Sequence, residues 1–273
     1  MNKRRMIQVV SAMLMNAHFV GFSQGRIYQG SLKRLCVPAL NCYSCPGALG
    51  ACPIGSLQAL SGNPQTLVSF YVYGFLLIVG LLFSRAVCGF LCPFGFIQEL
   101  LNKIPFENWC VDKRFSDLKY LKFFVLVTMV VGIPTLLTQS EEISFPIFCE
   151  FICPAGTLEA GVLLALANSG IRENLGWLFA WKAAVLAALM LLSTKVYRPF
   201  CRFLCPLGAV YSLFNRISVL HIKVDNEKCV GCEVCHAKCP MEAKSPDSTE
   251  CIRCGTCVRL CPQRALGWSV ARA

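Results

Sequence analysis

Charge is scarce in this chain. Only 15% of its 273 residues are Asp, Glu, Lys or Arg, against about a quarter in an ordinary soluble domain. Acids are the rarer sign, 15 against 26 basic residues, and histidine occurs three times. A soluble protein of this size needs more polar surface, so the apolar excess (55% of residues, mean hydropathy +0.56) must face something other than water. His221 and His236 both lie near the C-terminal end, which leaves His18 without a histidine partner for a bis-histidine haem. No Walker, Rossmann or Ser-His-Asp pattern stands out. The net charge of +11 invites a nucleic-acid reading, but the positives are spread along the flanks of apolar runs rather than gathered with aromatics. Membrane topology explains that distribution better, and no nucleic-acid partner is expected.

Four apolar stretches, 6–23, 67–83, 123–139 and 175–193, approach the roughly 17–20 residues that a helix needs to cross about 30 Å of hydrocarbon. Gln8, Asn16 and His18 interrupt the first, where His18 reads as a polar helix contact in preference to a quinone or haem ligand. Lys3-Arg4-Arg5 precedes it as in a signal peptide, yet no small-x-small site follows in Gly21-Phe22-Ser23-Gln24, so an uncleaved helix is expected. Neighbouring helices can accommodate Gly132 and Pro134 in the third stretch. Lys182 in the fourth should snorkel or face the bundle interior. Basic residues number three before the first stretch, six over 84–122 and twelve over 195–273. Segment 24–66 has three, and 138–174 has Arg172 alone beside five acids. The positive-inside rule then predicts a multi-pass protein of a prokaryotic cytoplasmic membrane, surrounded by lipid. Both termini and the 84–122 loop lie inside, and segments 24–66 and 138–174 outside.

Nineteen cysteines make up about 7% of the chain. Disulfide frameworks belong to small secreted domains, whereas these cysteines fall into tight motifs that close in Cys-Pro. The tail reads Cys229-x2-Cys232-x2-Cys235-x3-Cys239-Pro240 and then Cys251-x2-Cys254-x2-Cys257-x3-Cys261-Pro262. That is the bacterial pattern for two [4Fe–4S] clusters, in which the fourth cysteine of each run crosses to the other cluster. One cluster is therefore assigned to Cys229, Cys232, Cys235 and Cys261, the other to Cys251, Cys254, Cys257 and Cys239. Four thiolates also suit zinc, but two repeated runs each ending in Cys-Pro argue against it. His236 reads as tuning a cluster or facing solvent.

Upstream, Cys88-Gly-Phe-Leu-Cys92-Pro-Phe-Gly95 closely matches Cys201-Arg-Phe-Leu-Cys205-Pro-Leu-Gly208. Cys149-Glu-Phe-Ile-Cys153-Pro-Ala-Gly156 is a third copy, and Cys52-Pro-Ile-Gly55 a partial fourth. The copies alternate between membrane faces, which implies a tandem hairpin duplication. Cys88, Cys92, Cys201 and Cys205 share the inner face and together supply the four thiolates of one cluster. The proline after each last cysteine starts a helix, whose N-terminal N–H groups favour an anionic iron–thiolate group. Six cysteines remain outside: Cys36, Cys42, Cys45, Cys52, Cys149 and Cys153. Repeat logic joins Cys149 and Cys153 to Cys45 and Cys52. The alternative is a self-contained cluster on Cys36, Cys42, Cys45 and Cys52, leaving Cys149 and Cys153 as a disulfide or part of a second cluster. An oxidising exterior also allows a Cys36–Cys42 disulfide. Cys110, outside every motif, reads as an ordinary thiol.

Residues 70–210, with their paired Cys-x3-Cys-Pro loops, and the tail together resemble the NapH-type membrane ferredoxins. That broad group of polyferredoxins includes the membrane domain of the nitrous-oxide reductase regulator and the subunit encoded with methylamine dehydrogenase. The resemblance implies electron transfer between the quinone pool, cytoplasmic clusters and an extracytoplasmic partner. The outer cysteines at 36–52 and 149–153 exceed the simple two-loop pattern and suggest a wire across the membrane. The expected fold is mainly α: a four-transmembrane-helix bundle over 1–220 with inverted cysteine repeats, then a dicluster ferredoxin-like α+β domain over 221–273. The expected function is an electron-transfer subunit of an oxidoreductase complex. It would link a cytoplasmic donor or ferredoxin to an extracytoplasmic flavin, haem or iron–sulfur acceptor through two tail clusters, one inner cluster and one or two outer ones. Two alternatives stand beside it: a quinone-reactive subunit with a cleft near Lys182, His18 or Tyr71 and Tyr73, and a redox-sensing or assembly protein.

Overall fold

The computed structural model describes residues 3–61, 67–105, 113–138 and 146–270; Cys110 and residue 139 of the third expected span lie outside them. Helices dominate, with a single two-stranded sheet among the described residues. Two of the described helices, Asp117–Leu136 and Trp177–Lys195, are long and apolar enough to cross a membrane by length and composition. They match the third and fourth expected spans. The expected 67–83 run forms the helix Leu67–Leu82, of which Phe70–Leu82 is an apolar helix below spanning length, as is Pro154–Ala167.

The first expected span is corrected. Residues 6–23 do not form one helix but two, Lys3–Met15 and Phe19–Gln24. The break follows from the cysteine-rich loop that packs there. The Leu49 N–H donates to the Met15 carbonyl (3.0 Å) and the His18 N–H to the Gly47 carbonyl (3.1 Å), so the backbone groups that would continue the helix are engaged elsewhere. Asn16 Nδ2 donates to Asn41 Oδ1 at 3.0 Å. The polar residues of the first helix also have partners. Gln8 Nε2 donates to the Gly89 carbonyl (3.0 Å) and Ser11 Oγ to the Leu91 carbonyl (3.1 Å), fastening that helix along the Cys88–Cys92 loop.

Pro134 leaves its mark on the third span. It has no N–H for the preceding turn, and the segment before it, Leu126–Gly132, is a π-helix. Thr135 Oγ1 donates back to the carbonyls of Val131 (2.9 Å) and Gly132 (2.7 Å), a polar repair of the kind apolar helices use around proline.

One buried core runs through the whole helical part. It contains Cys52, Cys88, Cys92, Cys153, Cys201 and Cys205 together with Phe94, Phe148, Phe200 and Tyr211. The cysteine loops thus form the centre of the fold rather than decorating its ends. The tail begins with strand β1 (His221–Val224), which pairs antiparallel with β2 (Leu266–Ser269), His221 opposite Ser269. Between the strands lie both four-cysteine runs and two short helices, Val234–Ala237 and Thr256–Leu260.

Candidate iron–sulfur sites

At the inner site, each Cys-x3-Cys-Pro copy folds as a short helix, a cysteine N-cap and a second helix. Ala86–Phe90 leads through Cys92 to Pro93–Leu101, and Pro199–Phe203 leads through Cys205 to Pro206–Leu213. Proline opens each second helix because its missing N–H is not needed there. The freed N–H groups meet sulfur: Gly95 donates to Cys92 Sγ (3.4 Å) and Gly208 to Cys205 Sγ (3.3 Å). Cys88, Cys92, Cys201 and Cys205 are only 4–7% exposed and lie within one another's electrostatic reach. The two loops are joined reciprocally. Arg85, three residues before Cys88, donates to the Cys201 carbonyl (3.0 Å), and Arg198, three before Cys201, donates to the Cys88 carbonyl. Both guanidiniums are fully buried. Glu99 faces Arg198 at 2.8 Å and Arg4 at 2.6 Å.

A register absent from the sequence reading emerges here. The residue six after the cysteine of each Cys-Pro-x-Gly step reaches across to another cysteine loop. Gln98 Oε1 accepts from the Phe200 N–H (3.1 Å) while its Nε2 donates to Cys201 Sγ (3.2 Å). Gln58 does the same at the outer site, accepting from the Phe148 N–H (2.9 Å) and donating to Cys149 Sγ (3.1 Å). Glu159, six after Cys153, accepts from the Cys42 N–H at 2.7 Å. The signal was available: aligning the four Cys-Pro-x-Gly steps puts Gln58, Gln98, Glu159 and Tyr211 in one column.

At the outer site, a cavity of 1160 Å³ is lined by Cys36, Cys42, Cys52, Cys149 and Cys153. The structure brings Cys42, rather than Cys45, to Cys52, Cys149 and Cys153. A Cβ built on Gly156 would stand 3.6 Å from Cys42 Sγ and 3.8 Å from Cys153 Sγ, and one on Gly55 would stand 3.9 Å from Cys149 Sγ. The Cys45 thiol turns instead to Asn16 Oδ1 at 3.5 Å, and Cys36 lies by Ser56 Oγ at 3.8 Å. Among the described residues no cysteine is paired in a disulfide, Cys36 with Cys42 and Cys149 with Cys153 included. Lys182 is one cation of this site, its Nζ donating to the Cys149 carbonyl at 3.2 Å, and Lys33 and Arg34 also line the cavity. His18 faces the Pro46 carbonyl at 3.1 Å and the Tyr28 ring.

The tail cysteines surround a cavity of 290 Å³ to which Cys229, Cys232, Cys235, Cys239, Cys251, Cys257 and Cys261 contribute, with His236 on its wall. Backbone N–H groups are already aimed at sulfur, from Ala243 to Cys239 (3.4 Å), Arg253 to Cys251 (3.4 Å) and Ala265 to Cys261 (3.3 Å). Burial pushes the Cys251 thiol up to about 12, so without a metal it keeps its proton, and loading the site must release it. Cys229 and Cys232 are exposed, which makes their half of the tail the outer one. The other half is docked on the inner site. A Cβ on Gly89, between Cys88 and Cys92, would meet the Ile252 carbonyl at 2.5 Å, so only glycine allows the approach. Lys122 Nζ bonds Glu250 at 2.6 Å, Arg85 lies 3.8 Å from Glu250, and Asn215 Nδ2 donates to the carbonyls of Ser248 (2.7 Å) and Cys251 (2.9 Å). Phe90 packs edge-on against Trp268.

The donor sets fit [4Fe–4S] clusters. Buried donors without a partner surround them, Arg85 Nε and Arg198 Nε at the inner site and Asn41 Nδ2 on the wall of the outer cavity. Such orphans are costly unless an acceptor-rich group meets them, and the thiolates and sulfides of a cluster would do so.

Comparison with known proteins agrees with this chemistry. Two family models, each described as a 4Fe-4S binding domain, match the chain, one over residues 65–114, 146–166 and 175–225 and the other over 222–245 and 244–267. An uncharacterised protein of Methanocaldococcus jannaschii is 31% identical over 194 residues, 68% of this chain and 70% of the relative. The regulatory protein NosR of Stutzerimonas stutzeri is 29% identical over 190 residues, 66% and 23% of the two chains. The ferredoxin-type protein NapH of Haemophilus influenzae is 24% identical over 218 residues, 78% and 64%. The chain spans little more than half the length of several further curated relatives. No solved structure matches. Fold, thiol sites and comparisons together define a ferredoxin-type iron–sulfur electron-transfer protein. Within that class, the chain belongs to the NapH-type polyferredoxin family.

Proposed function

We propose that this chain conducts electrons across a membrane, from the exposed half of the tail, through its docked half and the inner site, to the outer site and an extracytoplasmic acceptor. The observation that carries the reading is the seating of Ile252 on Gly89, which sets a cysteine run of the tail against the Cys88–Cys92 loop. When bound, each [4Fe–4S] cluster supplies one-electron chemistry with no bond made or broken. The residues hold, insulate and tune. Cys229, Cys232, Cys235 and Cys261 hold the outermost tail group, and Cys251, Cys254, Cys257 and Cys239 the docked one. Cys88, Cys92, Cys201 and Cys205 hold the inner group, and Cys42, Cys52, Cys149 and Cys153 the outer one. The basic flanks support cytoplasmic termini. Anaerobically prepared chain should carry about sixteen irons with matching labile sulfide, and Cys88→Ser with Cys201→Ser should lose about four while the tail signals persist. About eight irons in the unaltered chain would sink the proposal.

A second reading has one observation in its favour. An apolar pocket of 340 Å³, lined by Leu57, Tyr73, Leu76, Leu126, Val210 and Phe214, lies between the helices that follow Cys52 and Cys205. Its walls, Tyr73 included, present only apolar surface, which suits the hydrocarbon part of a quinone. Failure of the purified, fully loaded chain to oxidise a menaquinol analogue would count against it.

A further inference from the structure

Tyr211 breaks the rule that its register sets. Gln98 and Gln58 each reach the opposite loop of their own site. By that pattern the residue six after Cys205 should return to the Cys88 loop at the inner face. It is instead a tyrosine with no exposure, and its Oη donates to the Pro38 carbonyl at 3.0 Å. Pro38 belongs to the outer loop, between Cys36 and Cys42. The tyrosine's own backbone stays inside: its carbonyl accepts from Ser84 Oγ at 2.9 Å, and its helix is capped by Cys205. The side chain therefore starts at one cysteine site and ends at the other. It lies within electrostatic reach of Cys88 and Cys205 on one side and of Cys52 and Cys36 on the other, inside the core that both sites share.

We infer that Tyr211 is the bridge between the inner and outer sites, a positioning residue whose ring fills the gap that an electron must cross. This rests on the reading that the outer site holds a cluster. A fully buried ring rooted in the inner loop and hydrogen-bonded to the outer one provides a close-packed route where a void would interrupt contact. Tyr211 undergoes no net chemistry: an electron leaves the inner group, which is oxidised by one, and reaches the outer group, which is reduced by one.

The test uses the full chain, loaded anaerobically and sealed into vesicles with the tail outward. Dithionite is supplied outside and ferricyanide trapped inside, so ferricyanide reduction reads the transmembrane flux. Tyr211→Phe keeps the ring and should stay close to the wild-type flux. Tyr211→Leu should lose an order of magnitude or more while its iron content, its cluster spectra and the rate of inner-site reduction are unchanged. Wild-type flux in the fully loaded Leu variant would overturn the inference and leave the outer cluster standing. Equal slowing in the Phe and Leu variants would also overturn it, because the ring would then not carry the coupling. About twelve irons in the unaltered chain would instead remove the outer cluster, and this inference with it.

Discussion

Gln58 and Gln98 use both ends of one amide on a partner loop, the oxygen on a phenylalanine N–H and the nitrogen on the next cysteine's sulfur. Hydrogen bonds to the sulfurs stabilise added negative charge and so help set a cluster's potential. Gln98→Leu should therefore lower the midpoint potential of the inner cluster in an EPR-monitored titration, with the tail clusters unmoved; no shift would reduce Gln98 to a packing role. Glu250 has a different task. It faces Arg85 and Lys122, both without exposed side-chain surface. Removing one partner of a buried ionic group costs about 3–5 kcal/mol because the remaining charges stay desolvated. Glu250→Gln should destabilise the docked tail by that amount, seen as earlier release of the tail by protease in rising urea.

At the scale of elements, the recurrent unit is a cysteine cap followed by a proline-started helix. Cys-Pro-x-Gly made those helix starts readable, because proline suits the first turn and the cysteine before it accepts the freed N–H groups. The ends of the elements were less readable. The 6–23 stretch reads as one span interrupted by Gln8, Asn16 and His18, yet the loop around Gly47 and Leu49 takes the backbone groups on either side of Asn16 and splits it. Gly89 marks another contact invisible along the chain. Gly89→Ala should push the Ile252 carbonyl away, slowing electron transfer from the tail to the inner cluster while the iron count holds; an unchanged rate would show that this contact is not the route.

For the whole molecule, the charge distribution predicts both termini on the cytoplasmic side. A C-terminal fluorescent fusion should be bright and an alkaline phosphatase fusion inactive; the reverse pattern would invert the proposed direction across the membrane. The chain's own composition and spacing determined the chemistry: thiols in Cys-x2-Cys-x2-Cys-x3-Cys-Pro runs, paired Cys-x3-Cys-Pro loops, and too little charge for an aqueous surface. They did so because local turns and helix starts depend on neighbours in sequence. Tertiary structure alone decided that Cys42 rather than Cys45 joins Cys52, Cys149 and Cys153, that the tail rests on Gly89, and that Tyr211 spans two sites. Those outcomes depend on which side chains meet across distant loops in a close-packed core, where a single Cβ or a single orphan donor is enough to choose between neighbours.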